Sequence, residues 1–392
     1  MTGSSPLASL APGDRVLGCT LGLAHLPGIG PATLRRCLLE HGAERAWCDL
    51  LAGHPDRVPP VAEQLARMRP EATPRLLQAL RRRDLAADLA RQRRIGRLHL
   101  LGTPGYPDRL RDDPEPPALL FTRGSLELLE RPVVAVVGTR NATLPGRQLA
   151  EELAAGIATA GVVVASGLAL GIDGAAHRGA VGVAAADGTV PTVGVVASGL
   201  DVPYPRRHAD LHATVADRGL LVSEAPAGLR PEAWRFPARN RIIAALADAV
   251  VVVESRRTGG SLHTVDEALR RDRPVLAVPG HPSSPAATGT NGLLYDGAAL
   301  ARDADDVLLA LGIDRPREPK GGPPDRAASL SSAERGLLDA LGTTPACLAE
   351  LVAATGRPVD EVAHALAVLE GRGRIRRTGG WYEADPVARS AR

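Results

Sequence analysis

Three features of the stretch from about residue 97 to 313 predict a doubly wound, mainly parallel α/β sheet. Short apolar runs rich in valine recur there, each read as a buried strand. Segments of helical periodicity separate them, so strand and helix alternate, and right-handed crossovers with a parallel sheet follow. Glycine-rich turns close almost every apolar run, which places a ligand rim at the carboxyl ends of the strands.

In chain order, VVAVVG (133–138) is the first strand, and a helix runs from about Arg147 to Ala160. GVVVASG (161–167) follows, then a helix from about Asp173. PTVGVV (191–196) is third, with a helix near 206–218, and LLVSE (220–224) is fourth. The stretch FPARNRIIAALADAVVVVE (236–254) places a helical run after a Phe-Pro loop and ends in a fifth strand. Helix SLHTVDEALRR (261–271) and strand PVLAVPG (274–280) complete the series, a Rossmann-like architecture. Residues 1–95 are Leu-, Ala- and Arg-rich at helical spacing, a separate helical domain of the helix-hairpin-helix (SAM-like) kind. Residues 314–328, DRPREPKGGPPDRAA, read as a linker, and 329–385 as a tail domain.

With 392 residues the chain can hold two or three domains, and 44% hydrophobic with 23% charged residues is a soluble globular balance. A net charge of +3 excludes global polybasic character, so any nucleic-acid grip must be local. Nearly every basic residue is arginine, whose planar fork suits phosphate. The four cysteines at 19, 37, 48 and 347 form no C-x-x-C pair, so no metal site or disulfide framework is expected. No apolar run reaches membrane-span length, and the protein is expected in the reducing cytoplasm without a membrane partner. Aromatic residues make up 2%, which argues against several stacking platforms for bases.

Of the turns GTRNATLPG, SGLALGID, SGLDVPYP, SEAP, ESRRTGGSL and PGHPSS, all but SEAP carry glycine plus small hydroxyl or amide residues. Glycine lets backbone N–H groups approach a ligand, and helix N-termini add a positive dipole. The rim therefore reads as an anion site, with Arg140 in it and Arg239 and Arg241 joining if their loop folds over. The competing reading pairs Arg239 and Arg241 with Glu224 or Glu254 as structural ion pairs. Asp173 and Asp248 read as structural, and His177 as a core histidine. The turn GTRNATLPG lacks the dinucleotide fingerprint, because an arginine stands where a close glycine is needed. No phosphate-binding G-x-x-x-x-G-K-[ST] or H-E-x-x-H motif occurs, and Ser261, His263 and Asp266 crowd one helix start, which cannot align a triad. No cofactor and no catalytic constellation is expected.

LPGIGPATLRRCLL (26–39) fits a helix-hairpin-helix whose Gly28 and Gly30 amides would meet DNA phosphates; a plain helical hairpin is the alternative. The tail reads as three amphipathic helices and a two-stranded wing, with Arg372, Arg374, Arg376 and Arg377 toward the wing. Asp360, Glu361 and Glu370 on the third helix weaken major-groove reading, so a protein partner is as good a fit as DNA.

The ordered motifs GTRNATLPG, SGLALGIDGAAH, GLDVPYP, SEAPAG, FPARNRIIAAL, VVVE, GGSLHT, AVPG and GTNGLLYDGA resemble the DNA-processing protein A (DprA/Smf) family over residues 100–311. YPDRLRDDPEPPALLFTRG looks like the extension that precedes that family's sheet domain. The resemblance implies a homodimeric, non-catalytic protein that binds single-stranded DNA and loads the RecA recombinase in natural transformation. It also implies a DNA pocket of Arg140, Ser166, Gly167, Arg239, Asn240 and Arg241, with Phe236 against a base and Gly260, Ser261 and Asn291 in the rim. His208, His263 and Val265 depart from the family's usual residues. Two rival expectations remain. TGGSLHTVDEA is similar to a loop of nucleotide phosphoribohydrolases, which would make Glu267 catalytic. Alternatively, a winged-helix regulator would sense a nucleotide in the sheet domain.

Overall fold

The computed structural model describes residues 7, 10–313, 330–341, 345–372, 374–378 and 380–384. The linker expected at 314–328 lies outside them, as do the first and last residues expected for the tail domain, Ser329 and Asp385. The chain divides into two compact units, Met1–Arg315 and Pro316–Arg392.

The first unit opens with six helices: α1 (Arg15–Ala24), α2 (Pro31–Glu40), α3 (Ala43–Leu51), α4 (Pro59–Ala66), α5 (Ala72–Arg81) and α6 (Leu85–Ile95). Their apolar faces bury Leu21, Leu23, Trp47, Leu50, Leu76 and Leu89 in one cluster. That cluster continues into Phe121, Val196 and Leu221 of the sheet domain, so the helical segment and the sheet share a core. Between α1 and α2, Gly28 adopts a φ of 85°, and Pro31 stands in the first turn of α2. There its missing N–H costs nothing.

Nine strands follow: β1 (Arg97–Leu100), β2 (Leu119–Gly124), β3 (Val133–Val137), β4 (Val163–Ser166), β5 (Thr192–Val196), β6 (Leu220–Ser223), β7 (Ala249–Val252), β8 (Val275–Ala277) and β9 (Ala299–Leu300). Their order is β1-β2-β6-β5-β4-β3-β7-β8-β9. The seven from β6 to β9 are parallel, while β1 and β2 are antiparallel additions beside β6. Interleaved helices are α7 (Asp108–Arg111), α8 (Leu144–Thr159), α9 (Ile172–Val181), α10 (Ala209–Arg218), α11 (Arg235–Leu246), α12 (Leu262–Leu269), α13 (Thr288–Tyr295) and α14 (Ala304–Ala310). Alternate residues of β3 serve opposite faces: Val133, Ala135 and Val137 enter one core, Val134 and Val136 the other. This is the period of two that a strand covered on both sides requires.

Thus the six sequence-expected strands are all present, and β1, β2 and β9 are additions. One expectation needs correction. FPARNR is not a loop but the opening of α11. Pro237 is tolerated there because first-turn N–H groups have no helical partner.

The second unit contains α15 (Ser332–Leu341), β10 (Ala346–Cys347), α16 (Leu348–Thr355), α17 (Val359–Gly371), β11 (Ile375–Thr378) and β12 (Trp381–Ala384). Leu337, Leu341, Leu351, Leu366, Leu369 and Ile375 form its own core. The strand order is β10-β12-β11, so the expected three helices and wing hairpin gain a third short strand. Among the described residues no helix is long and apolar enough to cross a membrane.

Candidate nucleic-acid interface

The site lies at the carboxyl ends of β3, β4 and β5, roofed by the start of α11. A cavity of about 130 Å³ opens there, lined among others by Arg140, Gly167, Leu170, Tyr204, Phe236 and Arg239. It is too small to enclose a dinucleotide, since pockets for whole small-molecule ligands run to roughly 300 Å³ or more. It fits one group of a longer ligand.

Arg239 forms the floor and is 6% exposed. Its Nη1 donates to the Gly167 carbonyl at 2.7 Å and to the Val195 carbonyl, and its Nε donates to Asn240 Oδ1 at 3.2 Å. Nη2 donates to no described residue. Burial pulls the guanidinium down to about 10, with the nearby Asp173 acting against that fall. It therefore stays charged at neutral pH. A buried cation held by carbonyls alone keeps its field and pays desolvation. An anion reaching Nη2 would relieve both.

Gly167 is what lets Arg239 lie there, because a Cβ at Gly167 would come within 2.5 Å of the guanidinium. The next residue, Leu168, is fully buried in the left-handed region at a φ of 55°. That conformation costs a non-glycine residue about 1 kcal/mol or more, and the packed surroundings hold it. His208 Nδ1 donates to the Leu168 carbonyl at 3.0 Å, so the residue that departs from the family pattern secures this turn. Asp173, in the first turn of α9, accepts the Gly167 N–H at 3.2 Å. Gly171 closes the loop at a φ of 79°, where a Cβ would lie 2.2 Å from the Thr139 carbonyl.

Above the floor, the exposed Arg140 guanidinium sits 4.7 Å from the centre of the Phe236 ring. Tyr204, 46% exposed, tilts against Phe236 with centroids 5.6 Å apart. Three of the chain's nine aromatic residues, Tyr204, Trp234 and Phe236, thus gather in or beside this site. The low aromatic content therefore does not describe the site, where aromatic side chains are concentrated.

Other residues expected in the rim have different surroundings. Ser166 is fully buried, donating to the Val136 carbonyl at 2.7 Å. Arg241 faces away from the cavity, pairing with Glu224 and donating to the Glu115 carbonyl at 2.6 Å. The structural-pair reading is therefore what its geometry gives. Glu254 instead binds Thr143 N at 2.9 Å and Thr143 Oγ1, at the start of α8. Asn240 Nδ2 reaches the Gly260 carbonyl at 3.4 Å, and Ser261 Oγ donates to Ser255 Oγ at 3.0 Å. Asn291 clasps Gly280, accepting its N–H at 3.1 Å and donating to its carbonyl at 3.0 Å. Asp248 pairs with Arg109 at 2.9 Å and accepts the Val133 N–H, a structural role as expected. His177 Nδ1 meets Thr192 Oγ1 at 2.8 Å, and burial holds the imidazole down at about 3.

Glu267, which a phosphoribohydrolase would need as its catalytic carboxylate, is outside the cavity. Arg270 at 2.8 Å and Arg271 at 2.6 Å take its two oxygens, and Arg271 also holds Asp113. In the second unit, Arg372 pairs with Glu334 at 3.3 Å, Arg377 lies 5.7 Å from the Tyr382 ring centre, and Arg376 is exposed. Asp360 and Glu361 are exposed in the first turn of α17.

Residues 97–312 match the family model described as DNA recombination-mediator protein A. The chain belongs to that family. Residues 321–380 match the winged helix domain of DprA. A putative DNA processing protein DprA of Mycobacterium tuberculosis is 41% identical over 286 residues, covering 68% of this chain and 71% of the relative. The DNA processing protein DprA of Bacillus subtilis is 40% identical over 207 residues, covering 53% of this chain and 68% of that one. The X-ray structure of DNA processing protein A from Streptococcus pneumoniae is 32% identical with a TM-score of 0.59, and the match spans 74% of this chain and 95% of that one. Tyr204 lines the pocket without having been singled out by the sequence, where the GLDVPYP motif was its signal.

Proposed function

We propose that this protein binds single-stranded DNA without catalysing a reaction on it, as a recombination mediator acting in the cytoplasm. The observation that carries the reading is Arg239: a buried, charged guanidinium with a free Nη2 edge, set beneath Phe236 and Arg140. A phosphate meets the guanidinium, and an unstacked base meets the aromatic face beside it. Duplex DNA keeps its bases stacked inside and cannot offer both at once. Arg140 and Gly167 complete the phosphate contact, while Phe236 and Tyr204 take the base. Ser166 anchors the strand end next to Gly167 and Asn240 accepts from Arg239, while Ser261, Asn291 and Arg241 hold backbone and side chains outside the pocket lining. Gly260 stays at the rim through its exposed backbone.

Delivery of the strand to the RecA recombinase and action as a homodimer are parts of this reading that rest on the family resemblance. The Gly28–Gly30 hairpin and the arginines at 374, 376 and 377 serve as secondary contacts to the strand or, for the wing, to a protein. Fluorescence anisotropy of a labelled oligo-dT and of the matching duplex tests the reading. The expected result is tight single-strand binding with duplex binding at least tenfold weaker. Equal affinity for both forms would overturn it.

A further inference from the structure

Trp234 lies just ahead of α11 and is 44% exposed. The pocket described above does not include it. Its indole is nonetheless held in place. Nε1 donates to Glu232 at 2.9 Å, and the Arg235 guanidinium sits 4.4 Å from the ring centre. The helical hairpin approaches the edge of the six-membered ring, since a methyl added at Gly30 would come to 3.9 Å from Cη2 and Cζ3. Leaving nearly half of an indole in water forfeits burial that tryptophan otherwise gains. A fixed, half-exposed ring is, however, what a base-stacking platform requires, because little side-chain entropy is left to lose.

Its neighbours join it to the pocket. A smaller cleft beside the main one is lined by Trp234, Arg235, Pro31 and Glu224, and shares Arg239, Val196 and Ala197 with it. Trp234 therefore stands between the Arg239 floor and the Gly28–Gly30 hairpin. The Glu232 carboxylate against the indole disfavours a phosphate there and leaves the apolar ring for a base.

From this, and resting on the single-strand reading above, we propose that Trp234 stacks a second nucleobase of the bound strand, adjacent to the one at Phe236 and Tyr204. Arg235, stacked on the ring, holds the platform; the site takes any base, because every base offers a π-face.

Tryptophan emission tests this in the full chain. Trp47 is buried and Trp381 belongs to the other unit, so Trp381→Phe serves as the parent in which Trp234 is the exposed reporter. Oligo-dT is titrated while emission and the anisotropy of a labelled strand are followed. The parent should be quenched on binding. Adding Trp234→Leu should abolish the quench and weaken binding roughly five- to a hundredfold, the range for one lost base–aromatic stack. Trp234→Phe should bind within about threefold of the parent. A Trp234→Leu protein that binds as tightly as its parent overturns the platform while leaving single-strand binding intact. A parent whose anisotropy does not change with oligo-dT overturns the single-strand reading itself, and the platform with it.

Discussion

Arg239 and Arg241 stand two residues apart on α11, yet they face chemically opposite regions. On one side, Arg239 lies over Gly167 with carbonyls as partners and an unused donor edge toward a cavity. On the other, Arg241 is closed off by the largely buried Glu224 and the Glu115 carbonyl. Burial is nearly the same, 6% against 8%. What differs is a directly bonded counter-charge, since Asp173 acts on Arg239 only through its field, and this decides which arginine attracts a ligand and which one holds the fold. The lesson is that a motif with two arginines need not contain two ligands for phosphate.

The largest expected effect lies on the closed side. Arg241→Ala leaves Glu224 buried without its cation, a loss of about 3–5 kcal/mol of stability, read by urea unfolding. A loss below about 1 kcal/mol would erase the distinction between the two sides. Replacing the pair together, Arg241→Met with Glu224→Leu, should recover much of that loss.

The open side should be sensitive to acid through His177. Its folded pKa of about 3 lies below the ordinary 6.5, so its neutral form supports the fold above pH 6.5. That support is lost as pH falls from 6.5 toward 3. Between pH 7.5 and 5 the loss amounts to about 2 kcal/mol. His177→Gln should remove this increment from the pH profile of unfolding, and an unchanged profile would show that another group causes it.

Gly167→Ala sharpens the comparison from the binding side. The new methyl pushes the Arg239 guanidinium off its carbonyls, an overpacking cost of about 1–3 kcal/mol shared between stability and oligo-dT affinity. Arg241 should be untouched, so Arg241→Ala and Gly167→Ala should be close to additive in unfolding experiments. Strong coupling between them would mean the two sides act as one.

The smallest effect is the salt response of a short site. With about two or three phosphates held, a fourfold rise in salt should weaken single-strand binding roughly tenfold. A dissociation constant that does not move would remove phosphate from the account.

The parallel core was legible because its strands are unbroken apolar runs, most of them followed closely by glycine, a pattern with few other solutions. RLHL and LLFTRG, which form β1 and β2, are short and mixed in polarity, so periodicity had nothing to register. The rim's position followed from strand direction alone. Which arginine enters it depends on the helical phase of α11, and Phe236-Pro237 disguised that helix as a loop. Trp234 and Tyr204 stayed hidden for a related reason: overall aromatic content is an average, and the site is where that average fails.

The most direct test compares Arg239→Ala with Arg241→Ala in single-strand anisotropy titrations, each corrected for its folded fraction. The account predicts that Arg239→Ala binds oligo-dT about ten- to a hundredfold more weakly, the loss expected for a charged hydrogen-bond donor, while folded Arg241→Ala binds within about twofold of the unmodified protein. Equal losses, or a larger loss in Arg241→Ala, would contradict it.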